Sequence, residues 1–340
     1  MQLTPIIENL GEFLPAKIMK QTILVVGGAG YIGSHVNKQL HEAGYQTVVL
    51  DNLSTGDRKS VTRGSFIKGD ASSSKQLDEI FKSQKIDAVM HFAAFTDIGE
   101  SVANPYQYYR NNVCHTLNLL HAMERYKVDI FIFSSTAAIF GLPQTNKIAE
   151  SHPKNPINPY GKSKLMVEQM LSDAESAYGL RSCALRYFNA AGGDPEGEIK
   201  NHKKKETNLI PILLRSLKNG DHSITIFGTD YPTPDGTCVR DYIHILDLGQ
   251  AHIRAMEQLF NGASSSQYNL GNGQGFSVKE VISAVECVTK IPVKKISGER
   301  RLGDPPLLLA DSRKAEQELG WNPRFPSLEE MIFHAWNSLN

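Results

Sequence analysis

The chain has 340 residues, with 36 Lys+Arg against 36 Asp+Glu and 41% hydrophobic residues, the composition of one large or two modest globular domains. A formal net charge of zero leaves no broad basic surface for nucleic acid, although a local basic cleft for one small phosphorylated ligand remains compatible with it. The four cysteines, Cys114, Cys183, Cys238 and Cys287, form no CxxC pair, which argues against a disulfide framework or a metal knot and fits a reducing, cytoplasmic setting. Residues 1–20 carry Glu8, Glu12, Pro5 and Pro15 and no apolar stretch of signal-peptide length, so they read as a surface extension or short helix. No segment approaches the ~18 apolar residues of a membrane span.

From residue 22 the pattern becomes regular. TILVV at 22–26 reads as a buried strand, followed by three spaced glycines and an amphipathic helix, and QTVVLD at 46–51 reads as a second strand. The alternation continues with SFIKGD (65–70), a helix near 74–83, IDAVMHFAA (86–94), a helix near 105–125, DIFIFSS (129–135), a helix from about 160 and RSCALRYFN (181–189). Short apolar runs separated by helices predict right-handed crossovers and an α/β fold, a doubly wound parallel sheet covered on both faces. After residue 190 glycine, proline and charge break the rhythm. We expect a first domain over 21–190 and a smaller α/β domain over 191–340, with 240–260 as a helical return to the first. The basic run Lys203 to Lys205 reads as a solvated loop.

Gly27, Gly30 and Gly33 form G-x-x-G-x-x-G, a weak signal alone, since 27 glycines in 340 residues give such a triple about 0.2 times by chance. The setting strengthens it: between a Val/Ile/Leu strand and a helix, bare backbone N–H groups and the helix dipole can receive a pyrophosphate that a side chain would obstruct. Asp51 ends the next strand, 18 residues beyond Gly33. A carboxylate there accepts hydrogen bonds from both ribose hydroxyls and repels a 2′-phosphate, favouring NAD over NADP. The competing reading is a tight turn that holds no ligand.

Tyr160 and Lys164 stand four apart after the strand 129–135, so on a helix they share a face. Free tyrosine ionises near pH 10, and making it a base at neutrality costs about 4 kcal/mol. One ammonium about 4 Å away at an effective dielectric near 20 supplies about that much. Thr136, just past the strand end, can hydrogen-bond the same reacting oxygen, although an ordinary strand-end hydroxyl is an equal reading.

Together GGAGYIGSH, DNLSTG, HFAA, GESV, NNV, FSST, NPYGKSKLMVE, LRYFNAAGG, IFGTDYPTPDGTCVRDYIHILDL, YNLGNG and RRLGDPP resemble the UDP-glucose 4-epimerases. These belong to the NAD-dependent epimerase/dehydratase family of extended short-chain dehydrogenases, with a Rossmann-like fold. The resemblance covers about residues 21–338. It implies that NAD is held by Gly27, Gly30, Tyr31, Ile32, Gly33, Asp51, Asn52, Asp70, Ala71, Phe92, Ala93, Asn111, Tyr160, Lys164 and Tyr187. It implies Tyr160 as the base at the sugar 4-OH, Lys164 as its tuning partner and Thr136 at the 4-oxygen. The UDP-sugar falls to Asn189, Asn208, Leu209, Thr225, Phe227, Arg240, Tyr242, Arg301 and Asp304, the two arginines matching a pyrophosphate clamp. The implied reaction moves a hydride from C4 to tightly held NAD and, once the 4-ketose has turned over, returns it to the opposite face. No metal is expected.

Several positions depart from relatives. HFAAFTDIGE offers Phe95 and Thr96 where some carry a lysine, and SSTAAIFG has Ala138 and Phe140 where many have Thr and Tyr, so a polar contact is expected to be missing. Leu308 matches the position whose size decides whether an N-acetyl group at C2 fits, and its intermediate bulk suggests UDP-glucose and UDP-galactose as the main pair with some turnover of acetylated sugars. Other UDP-sugar 4-epimerases share every motif. A 4,6-dehydratase would need an acid/base pair where Ala137 and Ala138 stand, and a non-catalytic dinucleotide-binding protein would be free to lose Thr136, Tyr160 and Lys164. Asn189 could instead cap a strand end, and Arg240 could pair with Asp241 at the surface. Apolar residues on more than one face of the helices at 105–125 (Leu117, Leu119, Leu120, Met123) and from 160 (Leu165, Met166, Val167, Met170) fit a homodimer, as in relatives.

Overall fold

The computed structural model describes residues 21–200, 206–301 and 304–339; the expected extension over 1–20 and the Lys203 to Lys205 run lie outside them. In chain order the first half contains β1 (Thr22–Val26), α1 (Tyr31–Glu42), β2 (Gln46–Asp51), β3 (Ser65–Lys68), α2 (Ser74–Ser83), β4 (Ala88–His91), α3 (Ile98–Ala103), α4 (Pro105–Tyr108), a π-helical turn (Tyr109–Cys114), α5 (His115–Arg125), β5 (Ile130–Thr136), α6 (Pro159–Tyr178), β6 (Arg181–Tyr187) and β7 (Asn189–Ala191). The second half contains α7 (Leu209–Lys218), β8 (Ser223–Phe227), β9 (Val239–Arg240), β10 (Tyr242–His244), α8 (Ile245–Phe260), β11 (Ser266–Leu270), β12 (Phe276–Ser277), α9 (Val278–Thr289), β13 (Lys294–Gly298), β14 (Leu307–Leu308), α10 (Arg313–Leu319) and α11 (Leu328–Leu339).

Seven of the strands form one parallel sheet in the order β11-β6-β5-β4-β1-β2-β3, a doubly wound, Rossmann-like α/β architecture. Alternation of side chains along each strand feeds two cores. Ile23, Val25, Val49, Met90 and Ile132 face α8 and Trp321. Leu24, Val26, Leu50, Val89, Phe131 and Phe133 face α2, α5 and α6 through Leu77, Leu119, Met123, Val167 and Leu171. With both faces covered, β5 is buried over its whole length, which is why its first four residues, Ile130 to Phe133, run apolar without a polar alternation.

Segments beyond residue 190 return to this layer. Helix α8 contributes Leu248, Ala251, Met256 and Leu259 to the first core, α10 and the loop after it contribute Ala315, Leu319 and Trp321, and β11 pairs with β6 as the seventh strand. A separate core joins α7, α9 and α11 through Leu213, Leu214, Val281, Ile282, Met331 and Ile332. Two differences from the sequence pattern have local causes. The run 181–189 divides at Phe188, because Asn189 starts β7, whose parallel partner is β10. The helix expected over 105–125 is preceded by α3, begins at Asn104-Pro105 and passes through the π turn, a widening often found at functional positions.

Strand order reverses between β1 and β4, and their C-terminal ends open a crevice of the kind that binds ligands in such sheets.

Candidate active site

That crevice is an open cleft lined among others by Gly27, Gly30, Asp51, Asn52, Asp70, Ala71, Phe92, Ala93 and Asn111. Its floor is bare backbone of necessity. Gly27 has φ +82°, and a Cβ there would sit 2.4 Å from the Ala93 nitrogen. The Asp51 carboxylate is fixed by N–H groups of Ala29 at 2.9 Å and Leu53 at 2.8 Å. Burial nonetheless pushes its carboxyl up against those hydrogen bonds. Asn52 donates its amide to Asp70 at 2.5 Å. Against burial, the hydrogen bonds from Asn52 and Ser72 hold the Asp70 carboxyl below its ordinary value. A glycine floor under the start of α1, a carboxylate ending the second strand and a cleft that both line fit an adenine dinucleotide.

Other expected cofactor residues stand outside this lining. Gly33 packs the turn onto α1, where a Cβ would meet the Gly27 carbonyl oxygen at 2.4 Å. Ile32 packs against the first core, and Tyr31 donates its hydroxyl to the Gly192 carbonyl at 2.8 Å, tying α1 to the chain after β7. The Tyr187 hydroxyl meets the Ser134 hydroxyl.

Helix α6 brings the acid/base candidates to the end of β5. Asn158 caps it by accepting from the Gly161 N–H at 2.8 Å, with Pro159 at the first helical position. Gly161 lets this end press on the turn after β5, since a Cβ would lie 2.5 Å from the Ala138 carbonyl oxygen. Burial pushes the Tyr160 phenol above its ordinary value, and the nearby Thr136 hydroxyl works in the opposite direction. Lys164 is buried, donates to the Ser134 carbonyl at 2.8 Å and lies 4.8 Å over the Phe133 ring. Burial pushes its ammonium down to about 7, opposed by Glu168. The expected acidification of the phenol is therefore not the dominant influence in this structure: desolvation acts on the phenol with the opposite sign, and the Thr136 hydroxyl only partly offsets it.

The expected sugar-nucleotide residues gather in linked groups. Asn189 donates its amide to the Asp241 carbonyl at 2.9 Å. Arg240 reaches the Pro305 carbonyl at 2.8 Å and Asp304 at 3.2 Å, and it lies across from Leu308 in the β9–β14 pair. Leu308 packs on the small cluster of Ala137, Ile139, Phe140 and Ile148, just past Thr136. Thr225 and Phe227 sit two apart on β8, and the Arg301 guanidinium lies 3.9 Å over the Phe227 ring. Asn208 lines a second cavity with Tyr31, Ala190 and Gly192, and Leu209 opens α7. Tyr242 is buried beside Phe276. The alternative pairing of Arg240 with Asp241 is absent: Asp241 is fully buried and accepts N–H groups from Asn272, Gly273 and Ala310. Phe140, in place of a hydroxylated residue, is buried with the Arg186 guanidinium 5.6 Å from its ring.

Sequence reasoning passed over His91, Ser54, Thr55, Phe95 and His115 in the cleft wall. It also passed over buried Asn112, which accepts from the Phe95 N–H at 2.9 Å and donates to the Phe95 carbonyl and to the Ser163 hydroxyl, both at 3.0 Å. Asn112 bolts the exit of β4 to α6. Its adjacency to Asn111 was the available signal.

Residues 23–271 match the family described as NAD dependent epimerase/dehydratase. The chain is 49% identical over 315 residues to a UDP-glucose 4-epimerase of Halalkalibacterium halodurans, covering 93% of this chain and 94% of that one. Among solved structures it resembles the UDP-glucose 4-epimerase of Brucella ovis in complex with NAD, with TM-score 0.91, 44% identity and coverage of 94% and 98%. It also resembles that of Bifidobacterium longum in complex with NAD+ and UDP, with TM-score 0.87, 36% identity and the same coverage.

Proposed function

The chain belongs to the NAD-dependent epimerase/dehydratase family, and from that premise we propose that it is a UDP-sugar 4-epimerase that interconverts UDP-galactose and UDP-glucose. The observation that carries the reading is the convergence of Thr136, Tyr160 and Lys164 at the C-terminal end of β5, on the sheet edge that also holds the cleft of Gly27, Asp51 and Phe92. Thr136 holds the 4-oxygen and Tyr160 removes its proton, while Lys164, braced on the Ser134 carbonyl, orients the nicotinamide ribose and supplies positive charge. NAD would be held by the Gly27 turn and Asp51 and, when bound, would supply a reversible acceptor for the C4 hydride and a positive charge. Net redox change is zero.

Inversion at C4 requires that the nucleotide be gripped and the sugar left free to turn, since contacts favouring one sugar orientation would block the other. Arg240 and Arg301 are the grip, with Phe227 as an apolar platform. The apolar Leu308 beside Ala137 forms a wall without polar anchors for the hexose. Purified protein given UDP-galactose with no added NAD should yield UDP-glucose, resolved chromatographically, and UDP-GalNAc should be turned over more slowly. Absence of UDP-glucose even with NAD supplied would overturn the reading, and absence of acetylated product would remove its second half.

We also propose a homodimer. Leu119, Leu120 and Met123 are used up in the sheet core. Ile98, Val102 and Tyr106 on α3 and α4, with Leu117 and Met166 beyond them, remain exposed, Tyr106 at 86%. Apolar side chains on adjoining helices suit a second copy packing α3 to α6. Light scattering at micromolar concentration should give the mass of two chains; a single-chain mass would contradict it. Among the described residues no helix is long and apolar enough to cross a membrane.

A further inference from the structure

The mechanism above leaves unused a buried ion pair one helical turn from Lys164. Arg186 has no exposed surface, and the Glu168 side chain is 7% exposed. Both carboxylate oxygens are engaged: Oε1 by the Arg186 Nε at 2.9 Å and the Ser135 hydroxyl at 2.6 Å, Oε2 by an Arg186 Nη at 2.7 Å. A buried pair of this kind adds little net stability over apolar residues of similar volume, so packing alone gives a weak reason for it.

Its placement gives a better one. Glu168 follows Lys164 by four residues on α6 and shares its face. Ser135 stands between Ser134, whose carbonyl holds the Lys164 ammonium, and Thr136. Arg186 precedes Tyr187, whose hydroxyl meets that of Ser134, and the strand register sets Ser135 against Arg186 and Thr136 against Tyr187. Every group that Glu168 touches is therefore the chain neighbour of a group at the reacting end. Resting on the epimerase reading, we propose that Glu168 and Arg186 are positioning residues for Lys164, the carboxylate presenting negative charge to the ammonium and the guanidinium fixing that carboxylate between β5, β6 and α6.

The other groups facing this cluster do not replace that charge. On β4, His91 is buried and burial pushes its imidazole down to about 3. On β6, Tyr187 is held up by burial. From the loop before α6, Glu150 accepts the Asn269 N–H at 2.7 Å and offers its carbonyl to Arg186 at 3.5 Å, while burial lowers the Lys154 ammonium. The working form has the phenol ionised and the ammonium charged, so reaching it releases one proton from the two together. Removing a nearby anion eases that release.

The pH dependence of kcat with UDP-galactose tests the proposal in the holoenzyme. Glu168→Gln should move the rising limb to lower pH by roughly one unit, Glu168→Asp should lower kcat with the limb in place, and Glu168→Gln with Arg186→Met should bring the limb back towards the parent. A purely structural role would lower kcat at every pH and move no limb. An unmoved limb in Glu168→Gln, or one that Arg186→Met does not restore, overturns the proposal. Should Glu168→Gln fail to fold alone, Arg186→Met carries the test with the opposite sign, an upward move supporting and an unmoved limb overturning it. Failure of the epimerase reading is distinct, since the unaltered chain would then turn over no UDP-galactose at any pH.

Discussion

Gly27→Ala should leave a folded protein that binds NAD roughly 100-fold more weakly or worse. The residue has φ +82°, a region that costs an alanine roughly 1–2 kcal/mol. Its new Cβ would press on backbone, 2.4 Å from the Ala93 nitrogen and 2.7 Å from the Ala93 Cα, so no side-chain rotation relieves it. Either the turn lifts off β4 or the Phe92–Ala93 exit shifts outward, and both lie in the cleft wall. About 1.4 kcal/mol is tenfold in affinity, and strain plus displacement amounts to about twice that. Because Gly27 also donates its N–H to the Leu50 carbonyl at 2.8 Å, a modest fall in melting temperature should accompany the loss. Gly30→Ala is the internal comparison for the fold alone: its Cβ would stand 3.3 Å from the nearest atom, the Gly27 carbonyl oxygen, a contact that small adjustment relieves, so its melting temperature should stay near that of the parent. Calorimetric titration of Gly27→Ala with NAD makes the test, and undiminished affinity in the folded variant would contradict the account.

The cleft was legible in the chain because its chemistry is local. A strand, a glycine turn and a helix lie within residues 22–42, and Asp51 ends the next strand, so one crossover brings the parts together. The end of β5 was legible for a similar reason: Asn158 and Pro159 announce the start of α6, and Tyr160 and Lys164 follow at helical spacing. What periodicity could not show were pairings set by the whole fold. Strand β11 joins the sheet from beyond residue 260, and its sequence SQYNL lacks an apolar run like the IFIF that opens β5. Asn112 and Glu168 look like ordinary helical polar residues until β4, β5 and β6 are placed against them. Desolvation was equally invisible. The spacing of Tyr160 and Lys164 suggests an acidified phenol, whereas burial of both groups opposes charge on either.

On the proposed mechanism the Tyr160 phenol takes the proton from the sugar 4-hydroxyl, and Tyr160→Phe removes the group responsible. The substitution removes one oxygen and keeps the ring, so folding and NAD affinity should be close to those of the parent. Only the hydroxyl near Thr136 is lost, and general acid–base catalysis typically contributes roughly 10²–10⁴-fold. The measurement is kcat for conversion of UDP-galactose to UDP-glucose in parent and variant at saturating substrate, alongside NAD affinity for each. A fall in kcat of roughly 10³-fold with NAD binding intact is the predicted result. Turnover within a few-fold of the parent would contradict the account, because the proton would then be leaving by another group.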